Sequence, residues 1–441
     1  MQKIAAMKIF TILTAFVSTL VIHAQSLYFP PNSATTWDTL APNDLGYCSD
    51  NIQRLYAFLD SNNTKAFILL KDGKIVLEKY FGTHTTNTPW QWASAGKTIT
   101  AFMTGIAQQE GFLSISDTTS TYLGQGWTNT LLAQEEKITI RHQLTMTSGL
   151  DDGVPDHFCT LDTCLIYKAD AGSRWAYHNV PYTLLDAVIE NATGQTLNSY
   201  TTQKLKGPTG MTGSFVPVGY NNVFFSNARS MARFGLLILN KGRWNGIPVM
   251  TDTTFFNDMV NTSQPLNKAY GYLWWLNGKP SFMVPTLQTI FPGTFSPNAP
   301  TDMVSAIGSG GQFLNVVPSQ QLVWLRMGDD PGNSNVPFLL NDAIWEYVND
   351  LPCEPANIGQ EPDAGLGIRL FPNPSNDQIQ LTANRPISGL EVFNLQGQRM
   401  DIKMDAKGEY AQTFSGLPRG LYVVKLTLQD GQVWMDQLVV E

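Results

Sequence analysis

Ser94-Ala95-Gly96-Lys97 is the one SxxK in the chain. On a helix, residues i and i+3 share a face, so the hydroxyl and the ammonium of this pair can meet. A serine hydroxyl is a weak nucleophile until a neighbouring base takes its proton. A lysine serves as that base only when burial or nearby positive charge lowers its pKa from about 10.4. The apolar spacing of Ile99, Phe102, Met103 and Ile106 predicts a helix over Ser94 to Glu110, stopped by Gly111. Ser94 then opens the helix, where unpaired N–H groups and the dipole favour developing negative charge. Taken alone, the same four residues also describe a serine cap followed by a solvated lysine.

A second set is Gly172-Ser173-Arg174-Trp175-Ala176-Tyr177-His178-Asn179. A phenol can relay a proton to or from a leaving group, and an amide can hold a lysine and a substrate. Two residues apart on an extended segment, Tyr177 and Asn179 face the same side and His178 the other, which gives His178 a structural role. Tyr220-Asn221-Asn222 and Tyr347-Val348-Asn349 share the YxN pattern but lack the Gly-Ser lead-in. A third set, Ala306-Ile307-Gly308-Ser309-Gly310-Gly311-Gln312, runs into a strand. Its glycines, Gly308 and Gly310 among them, let a substrate backbone approach, or else mark a bulge. The Ser309 N–H would pair with that of Ser94 as an oxyanion hole.

These segments need a scaffold, and the pattern supplies one. Ser49 to Ser61 has helical spacing, and Ala66–Leu70 and Ile75–Tyr80 flank an Asp72-Gly73 hairpin turn. Gly311–Val317 and Leu322–Met327 read as strands, and Pro337–Asn349 as a last amphipathic helix. Strands at both ends with helices between them predict an α+β fold: an antiparallel sheet flanked by helices, with an inserted helical subdomain. Glu354 to Gly367 reads as a linker, and 368–441 as short alternating strands forming a small all-β sandwich.

Residues 1–24 read as a signal peptide: Lys3 and Lys8 precede an apolar run from Ile9 to Ile22, then Ile22-His23-Ala24. The run is short for a span, so the mature chain, with its long globular domain at 26–353, is expected to be exported with no transmembrane segment. Cys48, Cys159, Cys164 and Cys353 are an even set, which favours disulfides in an exported protein. Cys159 with Cys164 would close a short loop, Cys48 with Cys353 would tie the domain's ends, and sequence alone leaves the connectivity open. No ligand spacing points to a metal, and no motif points to a cofactor. With a net charge of −8 and no basic block, nucleic-acid binding is disfavoured.

In this order and spacing the motifs resemble the serine β-lactamase and penicillin-binding-protein superfamily. The resemblance is strongest to its class C-like branch, with its D-peptidases, carboxylesterases and 6-aminohexanoate-dimer hydrolases. Ile138–Leu150 (ITIRHQLTMTSGL), Met231–Leu237 and Tyr270–Trp275 (YGYLWW) carry it further. It implies Ser94 as acylated nucleophile, Lys97 as its activator, Tyr177 as proton relay and Asn179 as the residue positioning Lys97 and substrate. The chain departs from the pattern at Ala306-Ile307-Gly308, where β-lactamases have Lys-Thr-Gly, and at Met146, where His is frequent. The missing cation turns the expectation from β-lactams towards esters or amides such as D-amino-acid peptides. The loops Asp151–Ala169 and Pro280–Pro300, which would shape the pocket, carry no readable code.

The tail has its own resemblance. Leu370-Phe371-Pro372-Asn373-Pro374-Ser375 and Leu417-Pro418-Arg419-Gly420-Leu421-Tyr422 are similar to the type IX secretion C-terminal sorting domain of Bacteroidetes. That implies the type IX secretion machinery as partner and a secreted or cell-surface destination; the other reading is an adhesive β-sandwich. The functional expectation is therefore an exported serine hydrolase. The alternatives are an acylatable protein that binds or senses without turnover, and an inert surface adhesion protein.

Overall fold

The computed structural model describes residues 27–33, 35–330, 337–353, 367–394 and 398–440. The expected signal segment 1–24 and, but for Gly367, the expected linker 354–367 lie outside them. The chain divides into two compact units between Leu351 and Pro352. No helix among the described residues is long and apolar enough to cross a membrane.

The first unit is built on a six-stranded sheet. Helix α1 (Ser49–Ser61) leads into β1 (Thr64–Lys71) and β2 (Lys74–Tyr80). Lys71 pairs with Lys74, and Asp72 and Gly73 between them take φ of 52° and 82°. Those angles define the tight turn whose twist matches the strands it joins. Next come α2 (Lys97–Gln109), α3 (Asn179–Thr193) and α4 (Ala228–Leu239). Then β3 (Trp275–Leu276), β4 (Val304–Gly308), β5 (Gln312–Val317) and β6 (Leu322–Gly328) return to the sheet, and α5 (Phe338–Asn349) closes the unit. The strand order is β2-β1-β6-β5-β4-β3, antiparallel throughout. The α+β architecture expected from the sequence is the one found.

Helices cover both faces of this sheet. On one, Trp324 lies between Phe67 of β1 and Trp345 of α5, and Phe58 of α1 stacks on Tyr347 at 4.4 Å. On the other, Gly235 lets α4 approach so closely that a Cβ there would overlap Val323 and Leu314. Asn227 starts α4 by accepting from Ser230 N at 2.8 Å. Helix α2 is buried on nearly all sides rather than on one face, because it runs through the middle of the helical layer. Phe102 meets Phe234 of α4 at 5.8 Å, and Thr100 reaches Asp186 of α3.

The second unit is all β. Strands β7 (Arg369–Phe371), β8 (Ile379–Thr382), β9 (Ile387–Asn394), β10 (Lys403–Lys407), β11 (Ala411–Ser415), β12 (Gly420–Leu428) and β13 (Val433–Val440) form two sheets. Their orders are β7-β8-β11-β10 and β9-β12-β13. Period-two alternation sends Ile379, Leu381, Val392, Phe414, Val424, Leu426 and Leu438 into one core.

Candidate active site

Ser94 does not open the α-helix. It sits in a 3₁₀ turn, Ala93–Gly96, and the α-helix begins at Lys97. Ala93, directly before the serine, takes φ of 46°. A non-glycine residue in that region is held there by its surroundings. Trp92, fully buried, anchors the turn through its Nε1–H to Ser226 Oγ at 2.8 Å and its N–H to Phe224 O at 2.8 Å.

The next turn of chain brings Lys97 Nζ to 2.6 Å from Ser94 Oγ. The lysine side chain is buried, and no carboxylate lies within ion-pair distance of it among the described residues. Burial alone therefore pushes its pKa well below the usual lysine value. Two aromatic faces also stand beside it: the ring centres of Tyr182 and Tyr177 lie 4.1 Å and 5.0 Å from Nζ. A neutral amine at this distance can accept the serine proton.

Tyr177 is set by packing. Its ring stacks against Trp275 at 5.8 Å, with Tyr270 and Trp175 edge-on or tilted beside it. The segment is pinned by Ala176 N donating to Met146 O at 2.9 Å. Met146, which the sequence left without a role, takes φ of 58° to present that carbonyl. Burial raises the Tyr177 phenol to about 12, with the nearby Ser94 hydroxyl pulling the other way. The phenol is thus neutral at physiological pH and able to pass a proton on.

Asn179 differs from the expectation. It is the first residue of α3, not part of an extended strand, so the alternation assumed for Tyr177, His178 and Asn179 ends there. Its side chain makes no hydrogen bond to Lys97 among the described residues. Reading the helix from Asn179 places Tyr182 and Asp186 at i+3 and i+7, on the face packed towards α2. That spacing was the available signal for Tyr182, which the sequence reading missed. Asp186, behind Tyr182, is pushed up to about 8 by burial. His178 is buried as expected of a structural residue, yet neither ring nitrogen has a partner.

The glycine segment forms a three-residue hairpin loop between β4 and β5, with Gly308 paired to Gln312. Gly310 and Gly311 take φ of 72° and 76°. This is a turn and not a bulge. A Cβ on Gly308 would overlap Trp92 O and stand 3.1 Å from Ser94 N, so the strand can pass the Ser94 turn only as glycine. The Ser94 N–H and the Ser309 N–H, one residue beyond this contact, donate to no described residue. Two free N–H groups in this relation suit a developing oxyanion. Ala306 is fully buried in β4 and brings no charge.

The two loops without a readable code both grip the Tyr177 segment. Arg174 pairs with Asp152 at 2.7 Å, and Gln288 Nε2 donates to Trp175 O at 3.1 Å. Cys159 and Cys164 are joined in the first of these loops, and Cys48 and Cys353 are also disulfide-bonded.

Residues 63–348 match the family described as Beta-lactamase, and residues 369–441 match the Secretion system C-terminal sorting domain. "Protein flp" of Staphylococcus aureus (strain COL) is 28% identical over 178 residues. The match takes in 36% of this chain and 36% of that protein, so the chain spans about a third of that relative's length. Among solved structures, a candidate 6-aminohexanoate-dimer hydrolase from Bacillus anthracis aligns with a TM-score of 0.56 at 20% identity, over 74% of this chain and 91% of its own. A candidate beta-lactamase from Bacteroides dorei gives 0.55 at 18%, over 69% and 99%. A family VIII carboxylesterase gives 0.51 at 13%, over 69% and 98%. At these identities the structural likenesses speak to the fold.

Proposed function

Since the chain belongs to the beta-lactamase family, we propose that it is an exported serine hydrolase that opens an ester or amide through an acyl-enzyme on Ser94. The observation that carries this reading is Lys97: buried, without a counter-ion among the described residues, and 2.6 Å from the serine oxygen. Lys97 takes the hydroxyl proton as Ser94 Oγ attacks the carbonyl carbon. The oxyanion rests on the N–H groups of Ser94 and Ser309. Tyr177, a neutral phenol, passes the proton from Lys97 to the departing oxygen or nitrogen, and water then releases the acid. Asn179, two residues beyond Tyr177 at the start of α3, is assigned to orienting the substrate.

The substrate side is read from Ala306. No cation stands where β-lactamases grip a carboxylate, which favours acyl groups without one: small acyl esters or neutral amides, D-amino-acid peptides among them. The C-terminal module supplies the address. Residues 368–441 direct the chain through type IX secretion to the cell surface or the medium, after a signal peptide at 1–24 has taken it across the inner membrane.

The test is intact mass after incubation with a p-nitrophenyl acyl ester and with a fluorophosphonate, for wild type and Ser94→Ala, with nitrophenol release followed in parallel. A wild-type adduct with steady turnover, both abolished in Ser94→Ala, is expected. An adduct without turnover would replace the enzyme by a binding or sensing protein. No adduct on folded wild type would remove the nucleophile assignment.

A further inference from the structure

Arg326 lies in β6 with no exposed surface, paired in register with Phe67 and Phe313. A buried guanidinium is normally matched by a carboxylate. This one has none within ion-pair distance among the described residues. Instead it is spent on neutral acceptors. Its Nε donates to Thr64 Oγ1 at 2.8 Å, and Nη2 donates to Asn62 O and to Asp329 O. Its Nη1 donates to Gly310 O at 2.9 Å and to Gly311 O at 2.7 Å. The two left-handed glycines turn both carbonyls of the hairpin loop towards it, and a Cβ on Gly311 would overlap Nη1. Burial lowers its pKa only to about 10, so it keeps its charge at neutral pH.

The loop then relays that charge. Gly310 O, which accepts from Arg326, belongs to the same peptide group as the Gly311 N–H. That N–H donates to Gly308 O at 3.2 Å. Gly308 O in turn belongs to the peptide group whose N–H is that of Ser309. Two peptide dipoles are thus aligned head to tail between the guanidinium and the free Ser309 N–H. Hydrogen bonds in a chain polarise one another, most strongly in a low-dielectric interior. Gln312 braces the same loop, donating through Nε2 to Gly328 O at 2.6 Å and accepting from Gly328 N at 3.0 Å.

We propose that Arg326 is a positioning residue of the oxyanion hole, which orients the Gly308–Gly311 loop and polarises the Ser309 N–H through two peptide groups. It supplies from beneath the strand the positive field that a lysine at position 306 would have supplied from within the site, without placing a cation where substrate binds. The inference rests on the acyl-enzyme reading above and adds to it a residue that touches neither substrate nor nucleophile.

The test uses the full chain acylated at Ser94 with a slowly hydrolysed ester carrying a ¹³C-labelled carbonyl. The acyl carbonyl stretch, read by isotope-edited infrared difference, reports the field inside the hole. Arg326→Gln is expected to lower kcat by on the order of tenfold with KM unchanged, less than loss of a whole oxyanion donor. It is also expected to move the carbonyl band to higher frequency, with Arg326→Lys restoring part of both. A folded Arg326→Gln enzyme with the wild-type band position would overturn the proposal, whatever its kcat. If Arg326→Gln does not fold, Thr64→Val frees the Nε end of the fork. It should move the band the same way by less, and an unmoved band is again decisive against the idea. A wild type that forms no adduct would fail the acyl-enzyme reading and this proposal together; a wild-type adduct with bands unmoved by the variants would fail this proposal alone.

Discussion

The two units of this chain treat buried polarity in opposite ways. In the first, Lys97, Glu135, Asp186, Arg233 and Arg326 are all buried, and every buried side-chain polar atom left without a partner among the described residues belongs to it. In the second, the buried polar residues are Ser375, Gln412 and Ser415, and none carries a charge. Taking an ion out of water costs several kcal/mol even after relaxation, so such groups persist only where something depends on them. In the first unit Lys97 on α2 stands beside Ser94, Asp186 on α3 accepts from Thr100 of α2, and Arg326 of β6 holds the β4–β5 loop. Glu135 accepts from Gly126 N and Thr128 N, and Arg233 donates to Thr209 O. The second unit has an interior of alternating aliphatic residues that any stable sandwich would need, so what a partner recognises in it is carried by its surface.

Lys97→Met is the sharpest way to break this contrast. Loss of the base should lower kcat/KM by ~10³-fold or more. It should also stabilise the fold at pH 7. The folded pKa of Lys97 lies well below its unfolded value, so between the two the unfolded chain binds the extra proton and stability rises with pH. At pH 7 wild type carries that deficit and methionine does not. The measurement is the melting temperature beside ester turnover: Tm up, activity gone. A variant that is both inactive and less stable would mean that Lys97 is held as a satisfied ammonium.

How much of this was legible follows the same line. The hairpin at Asp72-Gly73, helix α1 and strands β9, β12 and β13 could be read because local pattern and tertiary demand agree there. The meeting of Ser94 with Lys97 could be read because i and i+3 share a face in either kind of helical turn, and the glycine loop because its residues admit the left-handed angles a tight turn needs. Three things could not. The 3₁₀ turn under Ser94 is imposed by Trp92 and by the close passage of Gly308, contacts with residues far along the chain. The helical start at Asn179 was masked by reading an alternation through His178. Arg326 looked like one more strand residue, since its role depends on carbonyls brought to it by Asn62, Gly310 and Gly311.

The second unit should behave as an independent apolar core. Leu426 is fully buried in the middle of β12. Leu426→Ala should destabilise that unit by about 3 kcal/mol through lost transfer energy and a residual cavity. Ester turnover at Ser94 should not change. Differential scanning calorimetry with parallel kinetics reads both. Loss of turnover in step with melting of the second unit would show the two to be energetically coupled and would end the comparison drawn here.

The last effect concerns His178, and it is silent at neutral pH and appears only in acid. Burial holds its imidazole down to about 4, helped by Arg174 and His157 and opposed by Asp152 and Asp151. The folded pKa is below the unfolded value of about 6.5, so the unfolded chain takes up the proton first as pH falls. Stability from this group is therefore intact above pH 6.5 and lost progressively towards pH 4, by about 3 kcal/mol in all. Neither ring nitrogen has a partner to lose, so His178→Leu should melt near wild type at pH 7.5. At pH 4.5 it should be the more stable of the two. Carboxylates that also titrate in this range are common to both proteins and cancel in the difference. Parallel melting curves across the whole range would mean that His178 finds a partner for its proton in the folded state, and the strain would then have to be sought in Arg174 and Trp175 instead.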